Sequence, residues 1–518
     1  MSSVLPVELL LIIAQSLNAR DLYAFVRVFP FLAGELTYTR HLLAVPDEYG
    51  NNLVHLLARN GEAASLELMF PERSIEESRS NDILRQRQVL LASSANHKDA
   101  TPLLLAAEGG HMAAVEKILR WPGVDLNHED HEGRTAVDVA AKEGHTEIVS
   151  LLLERPELTV DWNGVNRRTN PLCLAVANGH VETARRILER HDNRIGVNSK
   201  SAHGRTPLCH AIDSGHDALL ALLFEQPELD VNLAVDFAAT ALHLAVRKRN
   251  HAAMKAILAH PHVDPNRQDV VQQTALHEAV YLADEPMLRL FLRHPRTDVN
   301  IRNCYGATPL VNAVKKGYGI SVLLLLQHPD IVPDKKDDVG MTALSWAAHL
   351  GSYNTVKMLL NRQDVDRNAR DDDGMTPLSI AVQGRRYQVA DLILENPSVN
   401  VNDIDDWGWT ALAHAFHSPA GWDGPSVSLL LSYGATMTVY PEMTVHLETL
   451  SDAEIALDLV EAMVKDRDLE RYMIRRFGLE RTELAFSHGE RAVRALLFRQ
   501  TPAAARRNHD QLGSSLFW

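Results

Sequence analysis

Much of the chain is made of similar segments, and each segment has two short blocks in which apolar residues recur at the spacing of a helix. In the segment that begins at Thr206, three apolar residues have the spacing of one helix face: Leu208, Ala211 and Ile212. Gly215 interrupts this pattern, a second apolar block follows, and Pro227 ends it. The pattern predicts one helix starting after Thr206 and a second over about residues 217–225.

The same segment recurs along the chain. A Thr-Pro/Ala-Leu step marks each copy, and from Thr206 to Thr410 the copies are 34 residues apart. Further Thr copies stand at Thr101 and Thr135, and Asn52 and Asn170 mark two more, which makes eleven. One such helix pair cannot bury its apolar face alone, so the pairs must stack. The pattern predicts an all-α solenoid over residues 46–437, with a β-turn finger before each copy.

The best copies resemble ankyrin repeats. Their signature, Thr-Pro-Leu-His-x-Ala, is matched by 240–245, which reads Thr-Ala-Leu-His-Leu-Ala, and by 274–279. The resemblance implies a protein-recognition module with no chemistry of its own.

Composition narrows the range of partners. The chain has 518 residues, a net charge of −15 and three cysteines. An acidic chain is a poor general ligand for nucleic acid or for an anionic membrane surface, and no apolar run reaches the length of a membrane helix. So few cysteines exclude a disulfide framework. We expect an intracellular protein of the cytoplasm and/or nucleus, with no nucleic-acid or membrane partner, and monomeric outside its complex.

Catalytic and metal motifs are not found in the sequence. Six of the 25 histidines fall at repeat positions, where an imidazole can bond backbone groups: His111, His145, His180 and His216 after the turn glycine, and His243 and His277 after the signature leucine. Cys173 and Cys209 stand at the position of the signature histidine and are expected to be small buried residues. No Walker-type loop, nucleophile elbow or paired-histidine zinc motif occurs. We therefore expect no enzyme activity, no metal and no cofactor.

The first 45 residues lie outside the repeat and carry a second pattern. Leu9, Ile13 and Leu17 have i, i+4, i+8 spacing, which predicts an amphipathic helix, and Asp21 can cap a second one. The segment resembles an F-box. Besides Asp21, the positions that match the family pattern are Leu5, Pro6, Glu8, Leu9, Ile13, Leu17, Leu22 and Val28. The resemblance implies that these residues dock a Skp-type adaptor of a cullin–RING ubiquitin ligase.

Two observations leave an alternative open for this segment. The F-box family often has Cys-Arg-x-Trp after the last of these positions, whereas 29–32 reads Phe-Pro-Phe-Leu. Solenoids also need terminal caps with a polar outer face. The helices are therefore either an adaptor-binding module or a cap on the first repeat.

The predicted finger tips are rich in acidic residues in three adjacent copies. The candidate partner-binding residues are Asp337, Asp338, Asp371, Asp372, Asp373, Asp405, Asp406 and Trp407. Aligned at the repeat spacing, these side chains could hold a basic segment of a protein target, with the tryptophan as an anchor. The alternative is that polar tips only keep a long protein soluble.

Three segments depart from the repeat. An Arg-, Glu- and Ser-rich insertion lies near 71–86. Residues 438–500 have helical patterns, and 501–518 form a short polar tail that we expect to be loose. Taken together, the resemblance suggests the substrate receptor of an SCF-type ubiquitin ligase, and the alternative is a ligase-independent ankyrin scaffold.

Overall fold

The described part of the chain is helical. In the computed structural model the described residues are 7–14, 16–36, 46–69, 89–121, 123–159, 170–189, 196–201, 204–416 and 423–435. Within them the regular structure consists of helices with isolated bridges, such as that between Ile404 and Thr410, as the all-α prediction requires. The chain divides into two compact units between Val270 and Val271. The predicted insertion at 71–86, the C-terminal region 438–500 and the tail 501–518 lie outside the described residues.

The first unit begins with three short helices: α1 (Val7–Ala14), α2 (Ala19–Val28) and α3 (Leu32–Leu36). Helix pairs follow them: α4 (Leu53–Arg59) and α5 (Ala63–Met69), α6 (Pro102–Glu108) and α7 (Met112–Ile118), α8 (Ala136–Glu143) and α9 (Thr146–Leu153), α10 (Pro171–Ala177) and α11 (Val181–Leu188), α12 (Pro207–Ser214) and α13 (Asp217–Phe224), α14 (Ala241–Arg247) and α15 (His251–Ala259). The first helix of each pair contacts the first helix of the next pair, as α6 does with α4 and α8.

The second unit repeats this arrangement. Its pairs are α16 (Ala275–Tyr281) and α17 (Glu285–Arg293), α18 (Pro309–Lys316) and α19 (Gly319–Leu326), α20 (Ala343–Leu350) and α21 (Tyr353–Leu360), α22 (Pro377–Gln383) and α23 (Tyr387–Leu394), α24 (Ala411–Phe416) and α25 (Gly424–Ser432). Here α20 contacts α18 and α22 in the same way.

The sequence around Thr206 shows why each pair forms. The Thr206 hydroxyl accepts the backbone N–H of Cys209 at 3.3 Å, and Pro207 fills the first helical position, where no N–H is needed. Gly215 ends α12 with φ at 67°, a left-handed conformation that a side chain would strain. The predicted helices are confirmed, and the apolar residues predicted to be buried in α12 and α13 are buried.

Histidines after the turn glycines link successive pairs of the first unit. Three such residues donate an Nε2–H group to a carbonyl oxygen near the C-terminal end of the first helix in the preceding pair. The bonds join His111 to Arg59 at 2.9 Å, His145 to Glu108 at 3.1 Å and His180 to Lys142 at 2.8 Å. They satisfy carbonyls that a helix end leaves unpaired. The structural role predicted for these histidines is confirmed.

A ladder of asparagines links the loops after the second helices. Asn300 donates its amide to the carbonyl of Asp330 at 2.6 Å and accepts the N–H of Val332 at 2.8 Å. Asn368 does the same with Ser398 and Asn400, both at 2.9 Å. Each asparagine thus satisfies one donor and one acceptor of the next loop, which fixes the register between neighbouring fingers.

Candidate functional site

Each finger of the second unit is a tight turn opened by an Asp or Asn. The Oδ1 atom of Asp405 accepts the N–H groups of Trp407 at 3.0 Å and Trp409 at 2.7 Å. Asp371 accepts from Asp373 and Met375 in the same way, at 3.1 and 2.8 Å. We call the side chains that open these turns, Asn303, Asp337, Asp371 and Asp405, the turn-opening residues. They give the finger a fixed shape.

Two of the turn-opening carboxylates are also bonded inside the protein through their second oxygen. The indole N–H of Trp346 donates to Asp337 Oδ2 at 2.8 Å, and Lys315 Nζ lies 3.7 Å from the same oxygen. His414 Nε2 lies 2.7 Å from Asp405 Oδ2. Both carboxylates are buried, at 5% and 4% exposure. These two residues of the predicted partner surface therefore hold their fingers to the helices behind them.

Other predicted residues pair across neighbouring finger tips. Asp338 Oδ1 lies 2.7 Å from Arg302 Nη2, and Asp406 Oδ1 lies 2.9 Å from Arg370 Nη2. The backbone reinforces the second link, because the N–H of Asp406 donates to the carbonyl of Asp373 at 3.0 Å. The expected acidic stripe is therefore partly neutralised by the protein's own arginines, and two acids without such an arginine, Asp372 and Asp373, are exposed beside it.

A largely apolar row runs along the finger tips, and of its members only Asp373 and Trp407 were among the predicted partner-binding residues. The row consists of the residues two positions after the start of each turn, at 34-residue spacing, and all but Asp373 are apolar: Val271, Tyr305, Val339, Asp373 and Trp407. Tyr305 is 66% exposed, Val339 53% and Trp407 52%. We call these five residues the tip row. Reading the repeat register at this single position would have revealed it. Large apolar residues left in water at a regular spacing are typical of a protein-binding surface.

The N-terminal helices place their predicted residues on different sides. Ile13 is 40% exposed and Val28 is 68% exposed, Leu17 is half-buried, and Leu22 is buried in the core. Leu5 and Pro6 lie outside the described residues, as do the side chains of Glu8 and Leu9, whose backbone is part of α1.

The sequence analysis missed two exposed apolar residues in this module. Ile12 on α1 is 59% exposed, and Phe31, between α2 and α3, is 47% exposed. The module is held against the first repeat on its other side, since α2 contacts α4 and α3 contacts α5. A polar contact adds to this, because Arg27 Nε lies 3.4 Å from the Glu62 carboxylate. Exposed apolar side chains therefore remain on both α1 and α2.

Metal and thiol chemistry have no assembled site in the described residues. There, no group of three or more His, Cys, Asp or Glu side chains is arranged to hold a metal ion. Cys173 and Cys209 are buried, as predicted, and burial raises the pKa of the Cys173 thiol. No helix among the residues described is both long and apolar enough to cross a bilayer.

Comparisons with known proteins agree with this geometry. A family model described as ankyrin repeats in three copies matches 55–163, 156–235, 227–303 and 276–369, and a second ankyrin-repeat model matches 359–415. Alpha-latrotoxin-Lg1a of Latrodectus geometricus is 32% identical over 118 residues, which is 23% of this chain and 8% of the toxin. The nuclear factor NF-kappa-B p105 subunit of Gallus gallus is 27% identical over 40% of this chain and 20% of its own length. The chain thus spans a fifth or less of these relatives.

Among solved structures, the ankyrin repeat domain of Bcl-3 aligns with 25% identity. The alignment covers 44% of this chain and 99% of that domain, with a TM-score of 0.40.

Proposed function

The chain belongs to the ankyrin-repeat family of protein-interaction modules, and from that premise we propose that it is the target-recognition subunit of an SCF-type ubiquitin ligase. Ankyrin repeats bind protein partners and are typically not enzymes, so the repeats would hold the target. The N-terminal helices would dock a Skp-type adaptor. The repeats would then place the target beside the ligase.

One observation carries the adaptor half of the proposal. Ile12, Ile13 and Val28 leave 40% or more of their surface in water, while Leu10 and Leu22 on the same two helices are about 1% exposed. An apolar face kept in water costs solubility, so such a face is typical of a protein that is completed by a partner. The F-box resemblance names the partner: a Skp-type adaptor.

We further propose the organisation that goes with this function. Residues 1–45 would be the F-box-like module and 46–437 eleven ankyrin units, while 438–500 would be a helical region and 501–518 a tail. The protein would work in the cytoplasm and/or nucleus and be monomeric outside its complex. It would have no nucleic-acid or membrane partner.

The test is a pull-down of the full chain with a purified Skp-type adaptor. The double substitution Ile12→Asp and Ile13→Asp places two charges on the exposed face of α1, where neither side chain is needed for the core. The matched control is Ile320→Asp, because Ile320 on α19 is 60% exposed and lies in the other unit. We expect the wild type and the control to retain the adaptor equally and the double variant to lose at least about tenfold in affinity.

A second candidate function has its own supporting observation. Helices α2 and α3 pack against α4 and α5, and the Tyr23 hydroxyl lies 3.4 Å from the Glu62 carboxylate, which is how a terminal cap would attach. On this reading the protein is a ligase-independent ankyrin scaffold. Failure of the wild type to bind the adaptor, or equal binding by the double variant, would favour the scaffold and remove the ligase assignment.

A further inference from the structure

Carboxylates that open a finger, Asp130 of the first unit among them, have a side-chain partner for their second oxygen. In the first unit, Arg134 Nη2 lies 2.7 Å from the Asp130 carboxylate. In the second unit the donors to Asp337 are Trp346 and Lys315, and the Lys315 ammonium also lies 3.9 Å from the centre of the Trp346 ring. The Asp405 oxygen has His414. The chain itself thus supplies a cation or an N–H donor to the second oxygen at each of these positions.

Asp371 departs from this pattern. The residues one repeat after Lys315 and Trp346 are His349 and Ile380. Isoleucine has no donor, and the His349 ring lies edge to face on Trp346 with the ring centroids 5.7 Å apart. Among the described residues, no side chain donates to the Asp371 carboxylate, whose Oδ1 accepts two backbone N–H groups of its own turn. Asp371 is half-buried, so its second oxygen can be reached from solvent.

The turn that Asp371 opens leads into an apolar cluster, because its Oδ1 accepts the backbone N–H of Met375. Met341, Met375 and Ile380 form a buried cluster, and Trp346 packs against it. Burial also raises the pKa of the Asp371 carboxyl, and the neighbouring Asp372 and Asp373 act in the same direction. A carboxylate held half out of water beside apolar side chains and two further acids is stabilised by an incoming cation.

We propose that the Asp371 carboxylate is the socket for a Lys or Arg side chain of an extended segment of the protein target. The cation would occupy the place that Lys315 takes at Asp337. Apolar neighbours in the segment would pack on Val339 and Trp407, the tip-row residues of the fingers on either side. This proposal rests on one part of the proposed function, namely that the repeats hold a protein target.

The spacing of the fingers sets the form of the segment. Stacked helices lie about 8–10 Å apart, and an extended chain advances about 3.3 Å per residue. Neighbouring fingers are therefore about three residues apart along such a segment. We expect an apolar residue on each side of the cation, each about three residues away.

Two selective variants copy residues that stand at the same position in another repeat. Asp371→Asn removes the charge but keeps the turn, since Asn303 accepts the same two backbone N–H groups in its own finger, at 3.0 and 3.1 Å. His349→Lys places a lysine where Lys315 stands one repeat earlier, and should fill the socket from within. The control is Asp372→Asn, which removes an exposed charge beside the socket.

The experiment selects random 12-residue peptides on the full chain by phage display and measures the selected peptides by fluorescence anisotropy. We expect a Lys or Arg with apolar residues about three positions away. Changing that cation to Gln, Asp371→Asn and His349→Lys should each weaken binding by at least about tenfold, and Asp372→Asn by less than about threefold. His349→Lys should not lower the unfolding temperature.

Several outcomes would overturn the socket. These are selected peptides without a cation, no selected peptide at all, or undiminished binding by Asp371→Asn. A chain that ends at residue 489 tests whether the protein's own segment 490–518, which contains five arginines, fills the socket. Binding seen only in that shortened chain would assign the socket to the protein's own segment and not to a target. Peptide binding needs no adaptor, so its failure is separate from a failure of the adaptor pull-down.

Discussion

Asp334 accepts the backbone N–H of Asp366 at 2.8 Å, in the place where Asn300 and Asn368 serve the neighbouring loops. An asparagine there also donates to a carbonyl of the next loop. The second Asp334 oxygen, Oδ1, is buried and has no hydrogen-bond partner among the described residues. This oxygen stands where Asn300 and Asn368 have the amide group that donates to a carbonyl of the next loop. By the repeat register it therefore faces a carbonyl oxygen, and neither atom can donate a hydrogen bond.

Asp334→Asn should therefore stabilise the protein, by about 1–2 kcal/mol at pH 7, because the new amide restores the missing donor. Burial raises the pKa of Asp334, so the folded state holds its proton more tightly than the unfolded state does. The wild type thus gains stability as the pH falls below that raised pKa, and the advantage of the variant shrinks. Urea unfolding at pH 7 and pH 4 measures both effects. An advantage equal at both pH values would contradict this account.

His55 should make the first repeat sensitive to acid. Burial lowers its pKa to about 4, and its Nε2 lies 3.1 Å from the carbonyl of Ser94. A depressed histidine pKa contributes stability that is complete above about pH 6.5 and is lost as the pH falls to about 4, here about 3 kcal/mol. An NMR titration of the ring and amide exchange in α4 measure this loss. His55→Leu, which copies Leu104 of the next repeat, should remove it. Titration of the ring near 6.5 would refute the assignment.

The buried acid Asp337 should contribute more to the stability of the fold than the exposed acid Asp338. Trp346→Phe removes the indole N–H from the buried Asp337 Oδ2 and leaves Lys315 beside that oxygen. It should lower the free energy of unfolding by about 1–2 kcal/mol. Asp338→Asn breaks an ion pair whose members are both about half exposed, and should cost less than about 1 kcal/mol and vanish at high salt. Thermal unfolding in low and high salt compares them. Equal costs would mean that the Trp346–Asp337 bond does not hold the finger.

The tip row should contribute to binding and not to folding. Tyr305→Ala and Trp407→Ala remove exposed side chains, so each should change the free energy of unfolding by less than about 0.5 kcal/mol. Leu310→Ala, at a site 1% exposed, is the contrast and should cost about 2–5 kcal/mol. The Trp407 variant should weaken the peptides selected on the socket. Normal peptide binding by both tip variants would remove the row from the target surface.

Much of the fold follows from residues that act locally. Thr206 and Pro207 cap and start a helix, and Gly215 ends it, whatever lies around them, so the helix pairs could be predicted from the sequence. The roles of the acids could not. Asp337 and Asp338 are neighbours, yet one is buried and the other exposed, because the turn sends successive side chains in different directions. The partner of Asp337 is Trp346, nine residues away on a helix, which no local pattern reveals.

The lack of a side-chain donor to Asp371 among the described residues was equally hidden in the sequence. It becomes visible only when Ile380 is compared with Trp346 and His414 at the same repeat position, after the structure has shown that this position faces the finger.

In the proposed function, the exposed apolar residues of α1 and α2 complete a ligase by binding a Skp-type adaptor. The most direct measurement is the mass in solution, by light scattering during gel filtration, of the purified 57.7 kDa chain mixed with the adaptor. The account predicts one species with the mass of one chain and one adaptor, which the Ile12→Asp, Ile13→Asp variant does not form. A wild-type chain that elutes at 57.7 kDa, with the adaptor in a separate peak, would contradict it.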